Sequence, residues 1–267
     1  MTTRQPTIYL PHGGGPCFFM EWSMGPRDTW DRMAEWLRSI PGSLPATPTA
    51  LLVVSGHWEA PAPTVTTAQA PQLLYDYSGF PASTYQLKWP APGSPELAAR
   101  VQELLGRAGI DAKSDASRGF DHGVFIPLKV AYPEPRIPTV QLSLRAGLDP
   151  IEHLAIGRAL APLRDEGVLI VGSGMSYHNM RGFMDPRTRD VSARFDDWLA
   201  GAIAAEPSER DALLADWSHA PMARQSHPRE EHLLPLMVVA GAAGADRGKQ
   251  VLRDEVMGAV VSAFRFE

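Results

Sequence analysis

Leu51-Leu-Val-Val-Ser-Gly-His57 is the stretch whose reading decides the fold. Its apolar run is too short for a typical helix and shows no polar–apolar alternation, so it reads as a strand buried on both faces. The run breaks at Ser-Gly and delivers a histidine. Two other stretches follow the same plan: Thr7-Ile-Tyr-Leu-Pro-His12, and Val168-Leu-Ile-Val-Gly-Ser-Gly174, which leads on to His178. Ile137-Pro-Thr-Val-Gln-Leu-Ser-Leu144 is a fourth strand candidate, and residues 250–266 hold one or two more.

Helical patterns fill the intervals at residues 29–39, 94–108, 150–166, 187–205 and 230–243, with Ser94 and Pro95 as an N-cap and first helical residue. Strands alternating with such helices predict an α/β fold: a single domain over residues 1–267, with a central, mostly parallel or mixed sheet and helices on both faces. Ligands of such sheets gather at the carboxyl ends of strands, where His12, His57 and His178 are expected. The 25 prolines cluster in connections such as Pro61-Ala-Pro and Pro90-Ala-Pro, which suggests rigid loops rather than a flexible linker.

A net charge of −5 leaves no broad positive field for a phosphate backbone, so no nucleic-acid partner is expected. The longest apolar runs fall far short of the ~20 residues that span a bilayer, so no membrane partner is expected either. The N-terminal residues enter a strand without a signal-like segment, and a cytoplasmic location follows as an expectation. A single cysteine, Cys17, excludes an internal disulfide and cysteine-based zinc motifs, and it reads as a small buried hydrophobe. Any metal must be held by histidine and carboxylate.

His12 lies in Pro11-His-Gly-Gly-Gly-Pro16, where glycines allow close backbone approach. An esterase oxyanion loop has a similar look but needs a Gly-x-Ser-x-Gly elbow, and Gly174-Met-Ser-Tyr-His178 lacks the closing glycine. His122 sits in Phe120-Asp-His-Gly-Val124, before an apolar helix-like stretch. The segment His227-Pro-Arg-Glu-Glu-His232 places Glu230, Glu231 and His232 in the first turn of the helix predicted there, with His232 the stronger ligand candidate. His153 and His219 look like surface residues. Two or three neutral imidazoles, with or without a carboxylate, suit Fe(II) or Zn(II).

In order along the chain, His-Gly-x-x-Pro at 12–16, Ser-x-His-Trp at 55–58, Trp-Pro-Ala-Pro-Gly-Ser-Pro at 89–95, Gly-Phe-Asp-His-Gly at 119–123, Val-Gln-Leu-Ser at 140–143, Gly-Ser-Gly followed by His-Asn at 178–179, and Glu-His-Leu-Leu-Pro-Leu at 231–236 resemble the class III extradiol ring-cleavage dioxygenases, the LigB superfamily, in its DOPA 4,5-dioxygenase-like branch. The resemblance implies that His12, His57 and His232 bind the metal, that His178 acts as a catalytic base or additional ligand, and that His122 faces the substrate. Some members of the wider superfamily use a glutamate as the last ligand, which keeps Glu231 as an alternative to His232. Fe(II) is the expected metal, with Zn(II) as the second candidate, and a catechol-type small molecule and O2 are the expected reactants.

Trp58, Phe18, Tyr177 and Phe125 are candidates for apolar walls around the substrate. A zinc-dependent hydrolase using the same histidines, and a non-catalytic interaction protein of this fold, are the competing readings. Self-association is left open by the sequence.

Overall fold

The computed structural model describes residues 2–267. Its strands are β1 Thr7–Pro11, β2 Ala50–Ala60, β3 Thr64–Thr66, β4 Lys113–Asp115, β5 Thr139–Arg145, β6 Val168–Gly174, β7 Gly248–Val256 and β8 Ala259–Phe266. Among the described residues they form one eight-stranded sheet in the order β4-β3-β5-β2-β6-β1-β8-β7. The centre is parallel: β6 pairs with both β1 and β2, and β2 with β5. The margins add antiparallel pairs, β1 with β8 and β7 with β8. The sheet is therefore mixed.

The helices are α1 Asp31–Ser43, α2 Pro95–Arg107, α3 His122–Ala131, α4 Pro150–Leu160, α5 Thr188–Ala204, α6 Pro207–Ala215, α7 Ala223–Ser226 and α8 Leu234–Ala243. They explain why the strand runs are apolar throughout. Leu52, Val54 and Ile170 pack into a core with residues of α2, α4, α5 and α8, while Leu51, Val53 and Val171 pack into a second core with α1 and α3. Successive side chains alternate between the two faces of a strand, so a sheet covered on both sides has no polar position to offer.

Some boundaries differ from the expectation. The helix predicted over 150–166 ends at Leu160, followed by a tight 3-10 turn at Ala161–Arg164 that contains Pro162, which lacks an N–H to donate. The helix predicted from Glu230 begins at Leu234, and Pro235 occupies its first turn. Glu231 and His232 consequently lie in a turn that precedes the helix, so the expected first-turn placement of Glu230, Glu231 and His232 is corrected. The short edge strands β3 and β4 and the helix α6 lie outside the sequence-based expectation.

His153 was expected at the surface and is fully buried, whereas His219 is exposed. The His153 Nδ1–H donates to the Asp149 carbonyl at 2.7 Å and its Nε2 accepts the Arg145 N–H at 3.1 Å. A second ring proton would oppose that N–H, and burial pushes the pKa below the usual imidazole value. The unfolded chain takes up this proton near pH 6.5 while the folded one does not, so stability is complete above that pH and declines as the pH falls. His153→Leu is expected to cost about 1–3 kcal/mol in urea denaturation and to flatten the decline between about pH 7 and 5. An unaltered pH profile would refute the assignment.

Candidate metal centre

The carboxyl ends of β1, β2 and β6 converge on one place. His12 immediately follows β1, its N–H donating to the Gly174 carbonyl at 3.1 Å. His57 was expected at the carboxyl end of its strand and lies within its last stretch, since β2 runs on to Ala60 and its pairing with β5 shifts register between Val54 and Glu59. That irregularity redirects the chain beside the site, a common use of strand bulges. His178 follows β6, and its N–H is held by the Ser226 carbonyl at 3.0 Å.

His232 enters from the turn before α8. Tyr9 Oη donates to its carbonyl at 2.7 Å, and the Met175 N–H does so at 3.1 Å. Two glycines make room for this crossing. A Cβ on Gly56 would stand 3.0 Å from the Glu231 carbonyl oxygen, and one on Gly174 would overlap the carbonyl of His232. The glycines on the way to His57 and His178 are thus a matter of close backbone approach.

Three imidazoles present the same nitrogen to one another: His57 Nε2 is 3.2 Å from His12 Nε2 and 3.2 Å from His232 Nε2. His12 donates its Nδ1–H to the Gly13 carbonyl at 2.8 Å, and His232 donates its own to Glu231 Oε1 at 2.9 Å. This hydrogen-bond network assigns both Nε2 atoms as lone-pair acceptors. Acceptors facing one another repel unless a cation lies among them. Nitrogens about 2.1 Å from one ion at tetrahedral or octahedral angles stand roughly 3.0–3.4 Å apart, which the observed spacing matches. Burial holds the pKa of His12 and His57 well below the usual value and that of His232 down to about 4, so all three stay neutral, the form that binds metals.

Two further imidazoles flank these three. His122 opens α3, with its ring 3.9 Å from that of His57, and its donor atom lies within 4.8 Å of those of His12 and His57. The Asp76 Oδ1 accepts both its backbone N–H at 2.9 Å and its Nδ1–H at 2.8 Å. This turns the other ring nitrogen toward the cavity. Although burial alone would raise the pKa of Asp76, its bonds with His122 hold it below the ordinary range. His178 stacks on His232 with ring centroids 3.4 Å apart, and its Nδ1 is 3.2 Å from Glu231 Oε1.

Glu231 therefore accepts from both His178 and His232 on the side of their rings opposite Nε2. Burial would raise its pKa, but the two imidazole donors outweigh this and keep the carboxylate ionised. Glu231 Oε1 thus lies within reach of both Nδ1 atoms, and Glu231 forms with His178 and His232 a second group of donor atoms within 4.8 Å of one another. Arg229 fastens the same turn to β2 through a two-pronged contact with Glu59, at 2.5 and 2.6 Å.

Asp121 is buried beneath the site. It accepts from Ser55 Oγ at 2.8 Å, from Gln141 Nε2 and from Arg118 at 3.1 Å, while Arg118 also reaches the His57 carbonyl at 3.2 Å. Burial first, and then the nearby charge of Asp76, raise the Asp121 pKa, while its donors oppose the shift. These support residues and Asp76 were not recognised as functional from the sequence. Asp76 had only a weak signal, a lone acid between Tyr75 and Tyr77 in a loop.

A cavity of about 410 Å³ opens over His12, His57, His122 and His178, and His232 is buried behind it. The aromatic wall consists of Trp22, Trp30, Tyr77, Phe80 and Phe183. Trp58, Phe18 and Tyr177 do not line it, which corrects their expected substrate-facing placement. Trp58 lies under the Arg118 guanidinium at 4.9 Å, Phe18 meets Trp30 edge-on, and Tyr177 packs against Phe183. Each supports a lining residue or the buried network. Phe125 likewise lies in the core beneath, packed on Tyr75 and Tyr77. Cys17 is buried, and burial raises its thiol pKa, as suits a packing residue.

A family model described as the catalytic LigB subunit of aromatic ring-opening dioxygenase matches residues 6–265. The chain is 42% identical over 223 residues to a 4,5-DOPA dioxygenase extradiol of Beta vulgaris, a match that covers 80% of this chain and 81% of that one. It is 40% identical over 243 residues to a protein of the same name from Portulaca grandiflora, with 89% and 86% covered. Among solved structures, that of an uncharacterized protein from Escherichia coli K12 superposes with a TM-score of 0.79 at 30% identity, covering 99% of this chain and all of that one.

Proposed function

This chain belongs to the LigB family of aromatic ring-opening dioxygenases, and from that premise we propose that it is a non-haem, metal-dependent extradiol dioxygenase that opens catechol-type rings with O2. The whole chain, residues 1–267, acts as one catalytic domain. The observation that carries this reading is the meeting of three inward Nε2 atoms, that of His57 lying 3.2 Å from each of the other two, beneath a largely apolar cavity. His12, His57 and His232 would hold the metal, which we take to be Fe(II), leaving its remaining positions open to reactants. A ferrous ion held there would supply the redox chemistry that the reaction with O2 requires.

The protein's own groups supply the rest. His122 Nε2, with Asp76 behind its ring, is placed to accept a hydroxyl proton from the diol. His178 lies on the other flank, with Glu231 behind it, where it can take up or return a proton as the ring opens. Imidazoles suit this exchange because their ordinary pKa lies near neutral pH. The aromatic and methionine wall excludes water from the reacting ring. Overall, one diol and one O2 give one ring-opened semialdehyde acid. Among the described residues no helix is long and apolar enough to cross a membrane; with the lone cysteine buried and reduced, we assign the protein to the cytoplasm.

The test is anaerobic loading of metal-free protein with Fe(II) or Zn(II), followed by oxygen uptake and visible absorbance with simple catechols. Stoichiometric uptake with a yellow product in the iron sample alone is the expected result. No oxygen uptake with any catechol, together with hydrolysis of simple esters or amides by the zinc sample, would replace this reading with a hydrolase. In the same assay Asp76→Asn is expected to lower kcat about 10–100-fold while the metal remains bound, since it loosens the ring orientation of His122. An unchanged kcat would remove Asp76 from the mechanism.

A further inference from the structure

We propose that the diol opened here carries a large, uncharged apolar substituent, a substrate class that excludes amino-acid and carboxylate tails. The inference rests on the ring-opening reading above. Among the described residues, the cavity is lined by no Asp, Glu, Lys or Arg. The Tyr77 hydroxyl on its wall is already committed, donating to the Thr84 carbonyl at 2.7 Å. A carboxylate or ammonium on the substituent, away from the diol end, would lose its water and find no charged side chain on the wall to pair with.

The wall favours apolar matter in a particular way. Met24, Met175, Met180, Met184 and Met257 all face the cavity, and unbranched thioether side chains adapt to varied shapes. Three of them lie exposed at its edge: Met24 at 48%, Met180 at 70% and Met184 at 59%. Large apolar side chains clustered at a cavity mouth mark a surface that is covered when a ligand binds. Met184 and Met257 also hold left-handed backbone, with φ of 69° and 51°, and the Met184 N–H donates to the Met257 carbonyl at 3.0 Å. Met257 takes that conformation with Gly258 in the two-residue turn that joins β7 to β8, and the bond from Met184 fixes both methionines at the cavity edge.

Asp76 and Glu231 sit behind the lining imidazoles and are engaged by them, and the other ionic groups lie in a neighbouring space. A cleft of about 530 Å³ contains Arg32, Asp185 and Arg189, but Met24, Met184 and Met257 line both spaces and stand between them. Arg189 is moreover paired with Glu255 at 2.8 Å. The site cavity, at about 410 Å³, has room for more than one dihydroxybenzene ring, and the wall away from the imidazoles is mainly aromatic carbon and methionine, with the uncharged indole N–H groups of Trp22 and Trp30 as its unpaired donors.

The iron-loaded protein should be assayed for oxygen uptake with 4-methyl-, 4-propyl- and 4-pentylcatechol against 3,4-dihydroxyphenylalanine and 3,4-dihydroxyphenylacetate. Anaerobic binding of the same compounds can be read from quenching of Trp22 and Trp30, which line the cavity. The expected kcat/KM rises about fourfold per added methylene until the cavity fills, and the two charged compounds fall roughly 10–100-fold below 4-propylcatechol. Met180→Lys, which places a cation at the rim, should narrow the gap to 3,4-dihydroxyphenylacetate. Equal or better use of the charged pair would overturn the inference and leave ring opening intact. If no compound consumes oxygen yet binding still strengthens with alkyl length, the ring-opening reading fails while the pocket assignment stands. Binding indifferent to alkyl length would overturn the assignment.

Discussion

The His178→Ala protein is expected to keep its metal and lose about 10²–10⁴-fold in kcat, the range for a missing acid–base group. The separation of effects follows from geometry. His178 stacks flat on His232 and shares Glu231 with it, so its removal leaves the His232 Nδ1–H bonded to the carboxylate and the three Nε2 atoms in place. What is lost is the one imidazole on that flank of the cavity, opposite His122. Metal per chain, measured by mass spectrometry beside single-turnover oxygen uptake, separates the outcomes. Loss of metal would make His178 a ligand, and full activity would remove it from the chemistry.

Gly174→Ala should be as damaging although no functional side chain is altered. The new Cβ would overlap the His232 carbonyl oxygen, which already accepts from Tyr9 and Met175 and cannot retreat without breaking both bonds. Overpacking of this kind costs about 1–3 kcal/mol of stability or more, and a displacement near 1 Å at a reacting centre costs about 10²-fold in rate. Weaker metal binding is expected as well, because His232 moves with its backbone. The control is Gly201→Ala in α5, where nothing lies within 4 Å of the added carbon and stability should rise by about 0.5–1 kcal/mol. A Gly174→Ala enzyme with normal metal content and rate would show that the turn carrying His232 is not wedged against β6.

The ordered motifs that carried the family resemblance divide in the structure. His12, His57, His122, His178 and His232 meet around one cavity, while their neighbours Ser55, Asp121 and Gln141, from three separate motifs, meet beneath it as one buried network. Apart from the motif at 89–95, whose Trp89 lies in the core and whose Ser94 caps α2, each motif thus contributes a group that faces the cavity or one that braces it. The Ser55 and Asp121 contacts explain why residues beside the histidines matter, which spacing alone could not reveal.

By itself the sequence determined the α/β alternation, the doubly buried strands, the glycine-then-histidine exits and the family, because these depend on local polarity, backbone freedom and the order of short motifs. Only the tertiary structure decided that β2 passes through His57 with a register shift, that Asp76 and Glu231 meet the Nδ1 atoms of the imidazoles, and that methionines and Trp22, rather than Trp58, Phe18 and Tyr177, line the cavity. Those outcomes depend on which side chains meet across distant segments. A loop residue such as Asp76 has no periodicity, and an aromatic residue beside a motif has no sequence mark to say whether it faces the substrate or the core. The contacts that separate these roles exist only once the chain has closed.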